Sequence, residues 1–270
     1  MAAKLPQGSG RAPGGLELSS TVTQRSRSSS AVVPVSAQTH ALFLDFDGTL
    51  APLQDDADSV VLPTDGDKTL LALKQIFDDA IVLISGRDIR DLSARTPIDL
   101  WRAGGHGLDV CRPGQTPPIN QVRIDGSVRK QVDTIVAGLT GVRVEDKGPV
   151  LAIHYRQNPS AEYVLLEAIR GLAETLPDYK AQNGKCVIEL KPITANKGRA
   201  LQTLMQAPPF LGRIPVMVGD DTTDEDAMAA AIQLGGVGVK VGAGDSCAQY
   251  RMIDPDSVWV WLRGILNEHA

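Results

Sequence analysis

Residues 41–50, Ala-Leu-Phe-Leu-Asp-Phe-Asp-Gly-Thr-Leu, decide how this chain folds. The stretch begins with a short apolar run and continues with two aspartates, Asp45 and Asp47. A short apolar run that is closed by polar residues or glycine is typical of a strand that is buried on both faces. Gly48 then allows the chain to turn sharply. The stretch therefore predicts a buried strand that delivers two carboxylates at its carboxyl end.

Two more apolar runs end in polar groups in the same way. Residues 80–84 precede the Ser-Gly-Arg of 85–87, and residues 214–218 precede the Gly-Asp-Asp of 219–221. Between the first two runs, the apolar spacing of residues 67–77 predicts a helix, so strand, helix and strand form a right-handed parallel crossover. Ligands of open parallel sheets bind at the carboxyl ends of the strands. The sequence therefore predicts a site at that edge of the sheet.

The middle of the chain has a different pattern, which predicts a separate module at residues 112–190. Its predicted elements are a helix at 127–139, strands at 142–145 and 150–156, a helix at 161–172, and a hairpin over 179–190 whose turn is Asn183-Gly184. The predicted fold class is α/β. It has a Rossmann-like parallel-sheet core with helices on both faces, built by residues 41–111 and 191–270, and a small α/β domain inserted at 112–190.

Composition excludes several classes of protein. The chain has 270 residues, of which 43% are hydrophobic and 22% charged, as in ordinary globular domains. A net charge of −5 argues against a general nucleic-acid binder, because phosphate backbones need clustered Lys and Arg. No apolar run approaches the roughly 20 residues that cross a bilayer, so no membrane partner is expected. Three scattered cysteines, Cys111, Cys186 and Cys247, predict reduced thiols and a cytoplasmic protein.

The first forty residues have a composition of their own. Residues 1–40 hold eight Ser, four Gly and three Pro, and four basic residues against one acidic residue. Such a segment buries too little apolar surface to offset its ordering entropy, which predicts a disordered tail. A transit peptide, which is also rich in Arg and Ser and poor in acids, is the alternative.

The acidic residues at the predicted strand ends indicate phosphoryl chemistry. Two neighbouring carboxylates such as Asp45 and Asp47 repel one another unless a cation is bound or one holds a proton. In that setting Asp45 can attack an electrophile and Asp47 can act as a general acid. The acids at 220–225 add hard oxygen ligands without His or Cys, which favours Mg²⁺. Ser85 and Lys197 supply a hydroxyl and an ammonium, which bind the oxygens of a phosphoryl group.

These motifs together resemble those of the haloacid dehalogenase superfamily of phosphatases. The four matching motifs are Asp45-x-Asp47-Gly-Thr-Leu, Ser85-Gly-Arg87, Lys197-Gly, and Gly219-Asp220-Asp221-x-x-Asp224. Within that superfamily, the chain is similar to the trehalose-6-phosphate phosphatases over about residues 41–268. The segments that narrow the resemblance are Gly105-His106-Gly107, Val144-Glu145-Asp146-Lys147, His154-Tyr155-Arg156, Glu189-x-Lys191-Pro192, and the Gly-Asp-Asp-Thr-Thr-Asp-Glu that begins at Gly219.

The resemblance implies a role for each residue of the core site. Asp45 is the nucleophile that forms an aspartyl-phosphate, and Asp47 protonates the leaving sugar oxygen and then deprotonates the attacking water. Mg²⁺ is held by the Asp45 carboxylate, the Asp47 backbone carbonyl and Asp220. Asp221 and Asp224 either support the metal ligands without touching the ion or reach the ion through water.

The resemblance also implies a substrate and the residues that bind it. Ser85 and Lys197 hold the phosphoryl oxygens, and Arg87 is placed with the substrate-binding residues. The inserted module is a cap that closes over the sugar of trehalose 6-phosphate, and Glu145, Lys147, Arg156 and Glu189 match the cap positions that grip the glucose hydroxyls. His106 either bonds across the two modules or merely shapes a glycine turn. A separate trehalose-phosphate synthase is a candidate partner.

Two further details follow from the resemblance. Relatives often carry a Ser soon after the Lys at 147, where this chain has Gly148-Pro149-Val150, so its local turn differs. Closure of the cap predicts hinges near 110–114 and 190–193, where proline and glycine interrupt the elements.

Two other functions stay open at this point. The first is hydrolysis of another sugar phosphate, such as sucrose-phosphate, which the cap residues would decide. The second is an inert domain that binds a sugar phosphate and regulates a synthase. The intact set of Asp45, Asp47, Lys197 and Asp220 speaks against it, because an inactive descendant has no reason to keep all four.

Overall fold

In the part of the chain that the structure describes, eleven strands form two separate sheets. The structure is a computed structural model and describes residues 1, 33–54, 56–118, 123–184 and 186–269. Most of the tail predicted at 1–40 lies outside the described residues. Both sheets belong to one compact unit, Val32–Ala270. The division of this unit into a core and a domain inserted at 112–190 stays a prediction.

Strands and helices alternate through most of the chain. The strands are β1 (His40–Leu44), β2 (Ile81–Ile84), β3 (Trp101–Gly104), β4 (Asp109–Cys111), β5 (Arg143–Asp146), β6 (Leu151–His154), β7 (Tyr179–Gly184), β8 (Val187–Pro192), β9 (Ile214–Gly219), β10 (Val237–Val241) and β11 (Tyr250–Met252). The α-helices are α1 (Gly66–Ile76), α2 (Ile89–Arg95), α3 (Gly126–Val136), α4 (Glu162–Glu174), α5 (Lys197–Leu204), α6 (Thr222–Gln233) and α7 (Pro255–Asn267).

The larger sheet, called the core sheet, has the order β11-β10-β9-β1-β2-β3-β4. All neighbouring strands in it are parallel except β3 and β4. The chain runs outward from β1 to β4 on one side, returns to β9 beside β1, and then runs outward on the other side. The strand order therefore reverses between β1 and β9, which is where open parallel sheets bind their ligands.

Helices cover both faces of the core sheet because the apolar residues of its strands alternate. In β1, Leu42 and Leu44 pack in one apolar cluster with α1 and α7, whereas Ala41 and Phe43 pack in a second cluster with α5 and α6. A strand that contributes to two apolar layers has no polar face, and all four of these residues are fully buried. The predicted core, with a parallel sheet between two layers of helices, is confirmed.

The smaller sheet, called the cap sheet, is antiparallel with the order β5-β6-β8-β7. One of its faces packs against α3 and α4 through Ile153, Ile188 and Leu190. Residues on the other face therefore occupy the intervening positions of each strand. This half-covered sheet carries the polar residues that matter for the site.

The turn of the β7–β8 hairpin is not at Asn183-Gly184, as the dipeptide predicts. Asn183 pairs with Ile188 and Gly184 with Val187, so both residues lie within β7 and the chain reverses after Gly184. The physical reason is tertiary: the Asn183 amide nitrogen donates to Glu162 at 3.0 Å, and its oxygen lies 3.4 Å from the Tyr155 hydroxyl. These contacts hold Asn183 in the strand and override the local turn preference.

Among the helices that the structure describes, none combines the length and the apolar composition needed to span a bilayer.

Candidate active site

The two central strands of the core sheet bring the distant acidic motifs together. β1 ends at Leu44 and β9 at Gly219, and the register pairs Leu44 with Val218. Asp45 and Asp220 therefore leave the sheet side by side at its carboxyl edge. Two side chains two residues apart would share one face of a regular strand, but β1 stops before Asp45 and Asp47, and Asp47 lies in a turn that is bridged to Ala51.

A cavity of about 640 Å³ opens at this edge between the core sheet and the cap sheet. Every site residue predicted from the sequence lines it except Asp224. The lining includes Asp45, Asp47, Ser85, Arg87, Glu145, Lys147, Arg156, Glu189, Lys197, Asp220 and Asp221. The structure therefore brings together residues that are up to 176 positions apart in the sequence.

The floor of the cavity is a buried lysine between two carboxylates. Lys197 Nζ donates to Asp45 Oδ1 and to Asp224 Oδ1, both at 2.6 Å. Burial alone would lower the pKa of Lys197, but the charges of Asp224 and Asp45 raise it above its ordinary value. Lys197 is therefore a permanent cation, placed beside the carboxylate that is predicted to be the nucleophile.

Asp224 lies behind the cavity and organises the loop after β9. Its Oδ2 accepts from the backbone N–H groups of Asp220, at 3.1 Å, and Asp221, at 3.0 Å. Its Oδ1 is taken by Lys197, so both oxygens are engaged. Gly219 is required here, because a Cβ at that position would lie 2.3 Å from Asp224 Cγ. These contacts favour the predicted supporting role of Asp224.

Three carboxylates form a cluster that fits a hard divalent cation. Oxygen atoms of Asp45, Asp220 and Asp224 all lie within 4.8 Å of one another. Burial, followed by the charge of Asp224, raises the pKa of Asp45 well above its ordinary value. Burial and the charges of Asp224 and Asp221 likewise raise the pKa of Asp220 to about 7. Acids that resist ionisation in this way are stabilised by a bound cation, and an all-oxygen set suits Mg²⁺.

Gly48 allows Asp220 of the acidic cluster to approach the turn after β1. Its φ is +76°, and a Cβ would lie 2.2 Å from Asp220 Oδ2. Only glycine combines that backbone conformation with that close approach. Lys240 also binds the backbone carbonyl of Asp220 from the neighbouring strand β10. Lys240 stands alone in an apolar strand, so no charge pattern marks it in the sequence.

The carboxylate of Asp47 faces an arginine rather than the acidic cluster. Arg87 Nη2 donates to Asp47 Oδ1 at 2.6 Å, and Nε donates to Oδ2 at 2.8 Å. Arg87 Nη1 donates to Asp91 Oδ2 at 2.6 Å, and the guanidinium lies 5.5 Å from the centre of the Phe46 ring. Arg87 is predicted to bind substrate, and that role stays a prediction. The observed contacts favour a role in fixing Asp47.

Ser85 lies at the end of β2, on the same side of the cavity. Its side chain is almost completely buried, and its Oγ accepts from the backbone N–H of Arg87 at 3.1 Å. A hydroxyl that accepts from a backbone N–H keeps its own proton available to donate to an anionic oxygen. This geometry suits the predicted contact with a phosphoryl group.

Opposite these groups, the cap sheet presents a polar face. Charged residues recur at every second position, as Arg143, Glu145 and Lys147 in and after β5, His154 and Arg156 in and after β6, and Glu189 and Lys191 in β8. Alternate positions of a strand point to opposite faces, so this period of two separates the polar wall from the apolar positions under α3 and α4. The same period of two could have identified Arg143, His154 and Lys191 as site residues, a role that the resemblance did not assign to them.

Charged residues on the polar face of the cap sheet, called its polar wall, form ion pairs with one another. His154 Nε2 lies 2.7 Å from Glu145 Oε2, and Lys147 Nζ lies 3.9 Å from that same oxygen. Burial alone would raise the pKa of Glu145, but the hydrogen bond from His154 and the charge of Lys147 lower it. Glu145 is therefore an ionised acceptor on the wall of the cavity.

Solved structures with the same architecture define the class of fold. The C-terminal domain of trehalose-6-phosphate phosphatase from C. albicans superposes with a TM-score of 0.74 at 24% identity, covering 86% of this chain and 93% of that chain. A haloacid dehalogenase-like hydrolase from Bacteroides thetaiotaomicron superposes with a TM-score of 0.59 at 15% identity, covering 86% of this chain and 100% of that chain. The chain has a haloacid dehalogenase-like fold.

Sequence similarity then narrows the class to one family. Residues 43–255 match the family described as Trehalose-phosphatase. The trehalose-6-phosphate phosphatase of Escherichia coli (strain K12) is 37% identical over 231 residues, which cover 84% of this chain and 86% of that protein. The probable trehalose-phosphate phosphatase of Sinorhizobium fredii (strain NBRC 101917 / NGR234) is 34% identical over 206 residues, covering 75% and 77%.

The chain belongs to the trehalose-phosphatase family. This membership confirms the resemblance on which the predicted enzyme class rests, a phosphoric monoester hydrolase.

Proposed function

We propose that this chain hydrolyses trehalose 6-phosphate to trehalose and phosphate in a Mg²⁺-dependent reaction that passes through an aspartyl-phosphate. The observation that carries the proposal is the two-sided cavity. One side holds Asp45 against Lys197 and the acidic cluster, and the other is the polar wall of the cap sheet. A phosphoryl group fits the first side and a disaccharide fits the second.

In the first step, a carboxylate oxygen of Asp45 attacks the phosphorus of the substrate. The bond between phosphorus and the sugar oxygen breaks, and Asp47 gives its proton to that oxygen, which releases trehalose. Lys197 and the Ser85 hydroxyl bind the phosphoryl oxygens and stabilise the charge that is transferred with them. Arg87 orients the carboxyl group of Asp47.

In the second step, water hydrolyses the aspartyl-phosphate. The carboxylate of Asp47 takes a proton from the water, and the resulting hydroxide attacks phosphorus. The bond between phosphorus and the Asp45 oxygen breaks, so phosphate leaves and the Asp45 carboxylate is restored. Asp47 thus gives one proton and takes one back, and each cycle ends where it began.

The metal has a defined place in this proposal. Asp45 and Asp220 would hold Mg²⁺ with the Asp47 backbone carbonyl, and Asp221 and Asp224 would support them. When bound, Mg²⁺ supplies a positive charge that polarises a phosphoryl oxygen and offsets the repulsion among the acids.

Sugar recognition belongs to the cap in this proposal. Glu145, Lys147, Arg156 and Glu189 all line the cavity. Charged side chains hydrogen-bond vicinal hydroxyls, and a site left with unpaired groups rejects analogues strongly. The division of the chain into core and cap, with hinges near 110–114 and 190–193, is part of the same proposal, as are a cytoplasmic location and a separate trehalose-phosphate synthase as partner.

The test is phosphate release by the purified chain from trehalose 6-phosphate, sucrose 6-phosphate and glucose 6-phosphate, with Mg²⁺ or with EDTA. We expect release from trehalose 6-phosphate to exceed that from the other two and to stop with EDTA. Asp45→Asn should lower it at least about 1,000-fold, while the exposed control Asp67→Asn should not change it. Activity that survives Asp45→Asn would refute the covalent step, and a preference for sucrose 6-phosphate would favour the alternative substrate.

Cap closure has its own measurement. Small-angle scattering of the chain with Mg²⁺ and a trehalose 6-phosphate analogue should give a smaller radius of gyration than scattering without them. Unchanged curves at saturating analogue would count against closure.

A further inference from the structure

The contact between His106 and Glu189 crosses the cavity from the core sheet to the cap sheet. His106 lies in a short 3₁₀ turn, Gly105–Gly107, directly after β3, whereas Glu189 lies in β8. The His106 Nε2 atom is 2.7 Å from Glu189 Oε2, and both side chains are almost completely buried. The contact has the length of a hydrogen bond, but its geometry does not qualify as one.

The core holds His106 in a fixed place. Its backbone has the left-handed conformation, with φ +58°, and its N–H donates to the Ser85 carbonyl at 2.9 Å. The imidazole packs over Gly86, where a Cβ would lie 2.8 Å from His106 Cε1. Gly107 is packed as closely, since its Cβ would lie 2.2 Å from the Cβ of Ala200, in the helix that begins at Lys197. These contacts fix the position of His106 relative to Ser85 and Lys197, the two residues proposed to bind the phosphoryl group.

The Glu189 carboxylate is held as an acceptor at the other end of this contact. Lys191 Nζ lies 3.4 Å from its Oε2, and Lys147 Nζ lies 4.0 Å from its Oε1. Burial alone would raise the pKa of Glu189, but His106, Lys147 and Lys191 lower it well below its usual range. An ionised carboxylate accepts hydrogen bonds from sugar hydroxyls. The three neighbouring side chains fix the orientation of the Glu189 carboxylate.

We propose that His106 is a positioning residue that determines sugar specificity, because it sets the Glu189 carboxylate of the cap at a fixed distance from the phosphate-binding end of the core. The inference rests on the proposed function. A phosphorylated sugar whose hydroxyls lie at another distance from its phosphate would miss this carboxylate. The mechanism proposed above makes no use of His106.

The test uses two substrates and a variant that keeps the backbone. Asn tolerates the left-handed conformation of residue 106 better than other residues with a Cβ, but its side chain is too short to reach Glu189. We expect His106→Asn to lower kcat/KM for trehalose 6-phosphate about tenfold or more, mainly through KM. For p-nitrophenyl phosphate, which has no sugar hydroxyl, we expect a change of less than about threefold. His269→Asn, the same change at an exposed position just after α7, is the matched control.

A double-mutant cycle separates positioning from a general packing role. If His106 acts through Glu189, then adding His106→Asn to Glu189→Gln should cost little beyond the worse single variant. Independent, multiplicative losses would overturn the inference, and so would an equal loss on both substrates. A second variant, His106→Gln, has an amide nitrogen that reaches as far as Nε2 and should keep kcat/KM within about threefold of the wild type. A loss equal to that of His106→Asn would overturn the inference as well.

Different results would refute the proposed function and the positioning role of His106. If the unmodified chain releases no phosphate from trehalose 6-phosphate, the proposed function fails. If it does release phosphate and His106→Asn lowers turnover of both substrates equally, the proposed function stands and only the positioning role of His106 fails.

Discussion

The guanidinium of Arg87 holds both carboxylate oxygens of Asp47, with Nη2 2.6 Å from Oδ1 and Nε 2.8 Å from Oδ2. A second acid, Asp91, accepts from Nη1 of the same guanidinium at 2.6 Å and from Arg95 Nε at 2.9 Å. Arg95 in turn donates to the Val60 carbonyl at 2.8 Å. The proposed proton donor is thus fixed by a chain of charged pairs that reaches the loop before α1.

Arg87→Lys should therefore affect turnover more than binding. Lys keeps the charge but loses the planar fork that binds both carboxylate oxygens at once. We expect kcat for trehalose 6-phosphate to fall about tenfold to a hundredfold, with KM changed less than about threefold. Steady-state kinetics measure both, and Arg129→Lys on the surface of α3 is the control. An unchanged kcat with a raised KM would instead support the predicted contact between Arg87 and substrate.

Mg²⁺ should stabilise the fold more at neutral pH than in acid. Burial and neighbouring acids raise the pKa of Asp45, and raise that of Asp220 to about 7, so the folded state binds these protons more tightly than the unfolded chain does. Without a cation, these two groups therefore lower the free energy of unfolding as pH rises from about 4 to about 7. The ion binds the ionised forms and opposes this loss.

Thermal melts with Mg²⁺ and with EDTA measure this effect. We expect the rise in Tm on adding Mg²⁺ to be larger at about pH 7.5 than at about pH 5. Asp220→Asn should remove most of that rise, whereas Asp67→Asn should keep it. An equal response of Asp220→Asn and the wild type would show that the ion binds elsewhere.

Gly48→Ala should weaken Mg²⁺ binding at the proposed metal site, whereas a matched glycine variant should not. Gly48 and Gly114 have nearly the same backbone conformation, with φ +76° and +75°. A Cβ at 48 would lie 2.2 Å from Asp220 Oδ2, but a Cβ at 114 would meet nothing within 4 Å. Both variants should lose about 1 kcal/mol of stability from backbone strain, but only Gly48→Ala should raise the Mg²⁺ concentration needed for half-maximal activity, by about tenfold or more. Titrating Mg²⁺ against phosphate release compares them, and equal effects would refute the reason given for Gly48.

Lys191 should make the free energy of unfolding increase with pH between about pH 8 and 10. Burial lowers its pKa to about 8, against the opposing charge of Glu189. Between about pH 8 and 10 the unfolded chain therefore binds more protons at this position than the folded chain does, so deprotonation favours folding. We expect the free energy of unfolding of the wild type, relative to Lys191→Met, to rise by about 2 kcal/mol from pH 8 to 9.5. Urea unfolding at both pH values measures it, and a flat difference would mean that Lys191 keeps an ordinary pKa.

The sequence predicts the parallel core well because local pattern and burial agree there. The apolar runs at 41–46, 80–84 and 214–218 became β1, β2 and β9 with bounds shifted by one or two residues. Strands buried on both faces admit little except Val, Ile, Leu, Ala and Phe, so composition alone marks them. The short edge strands β4 and β11, Asp-Val-Cys and Tyr-Arg-Met, lack such an apolar run, so the sequence does not predict them.

Some features of the site also follow from local sequence, whereas others depend on contacts between residues far apart in the chain. The acids at 45, 47 and 220 follow strands directly, so the topology places them at one edge of the sheet. The pairing of Arg87 with Asp47 and of His106 with Glu189 depends on contacts 40 and more residues apart in the sequence. No local spacing encodes these pairs, so the contact of Arg87 with Asp47 is not predicted from the sequence, and the contact of His106 across the modules is only one of two alternatives. The turn at Asn183-Gly184 was wrong for the same reason, since Glu162 and Tyr155 hold Asn183 from outside its own hairpin.

The place of β1 between β2 and β9 also has a consequence for how the chain folds. β1 meets β2 after a connection of about 40 residues, but it meets β9 only after about 170 residues have been threaded through the rest of the structure. The entropy lost on closing a loop grows with its length, and topologies rich in distant pairings fold slowly. We therefore expect the β1–β9 pairing to be among the last to form. A nascent chain that has not yet released β9 from the ribosome would hold Asp45, the proposed nucleophile, but neither the lysine–acid cluster nor the complete proposed metal site, and it would stay inactive until β9 has emerged.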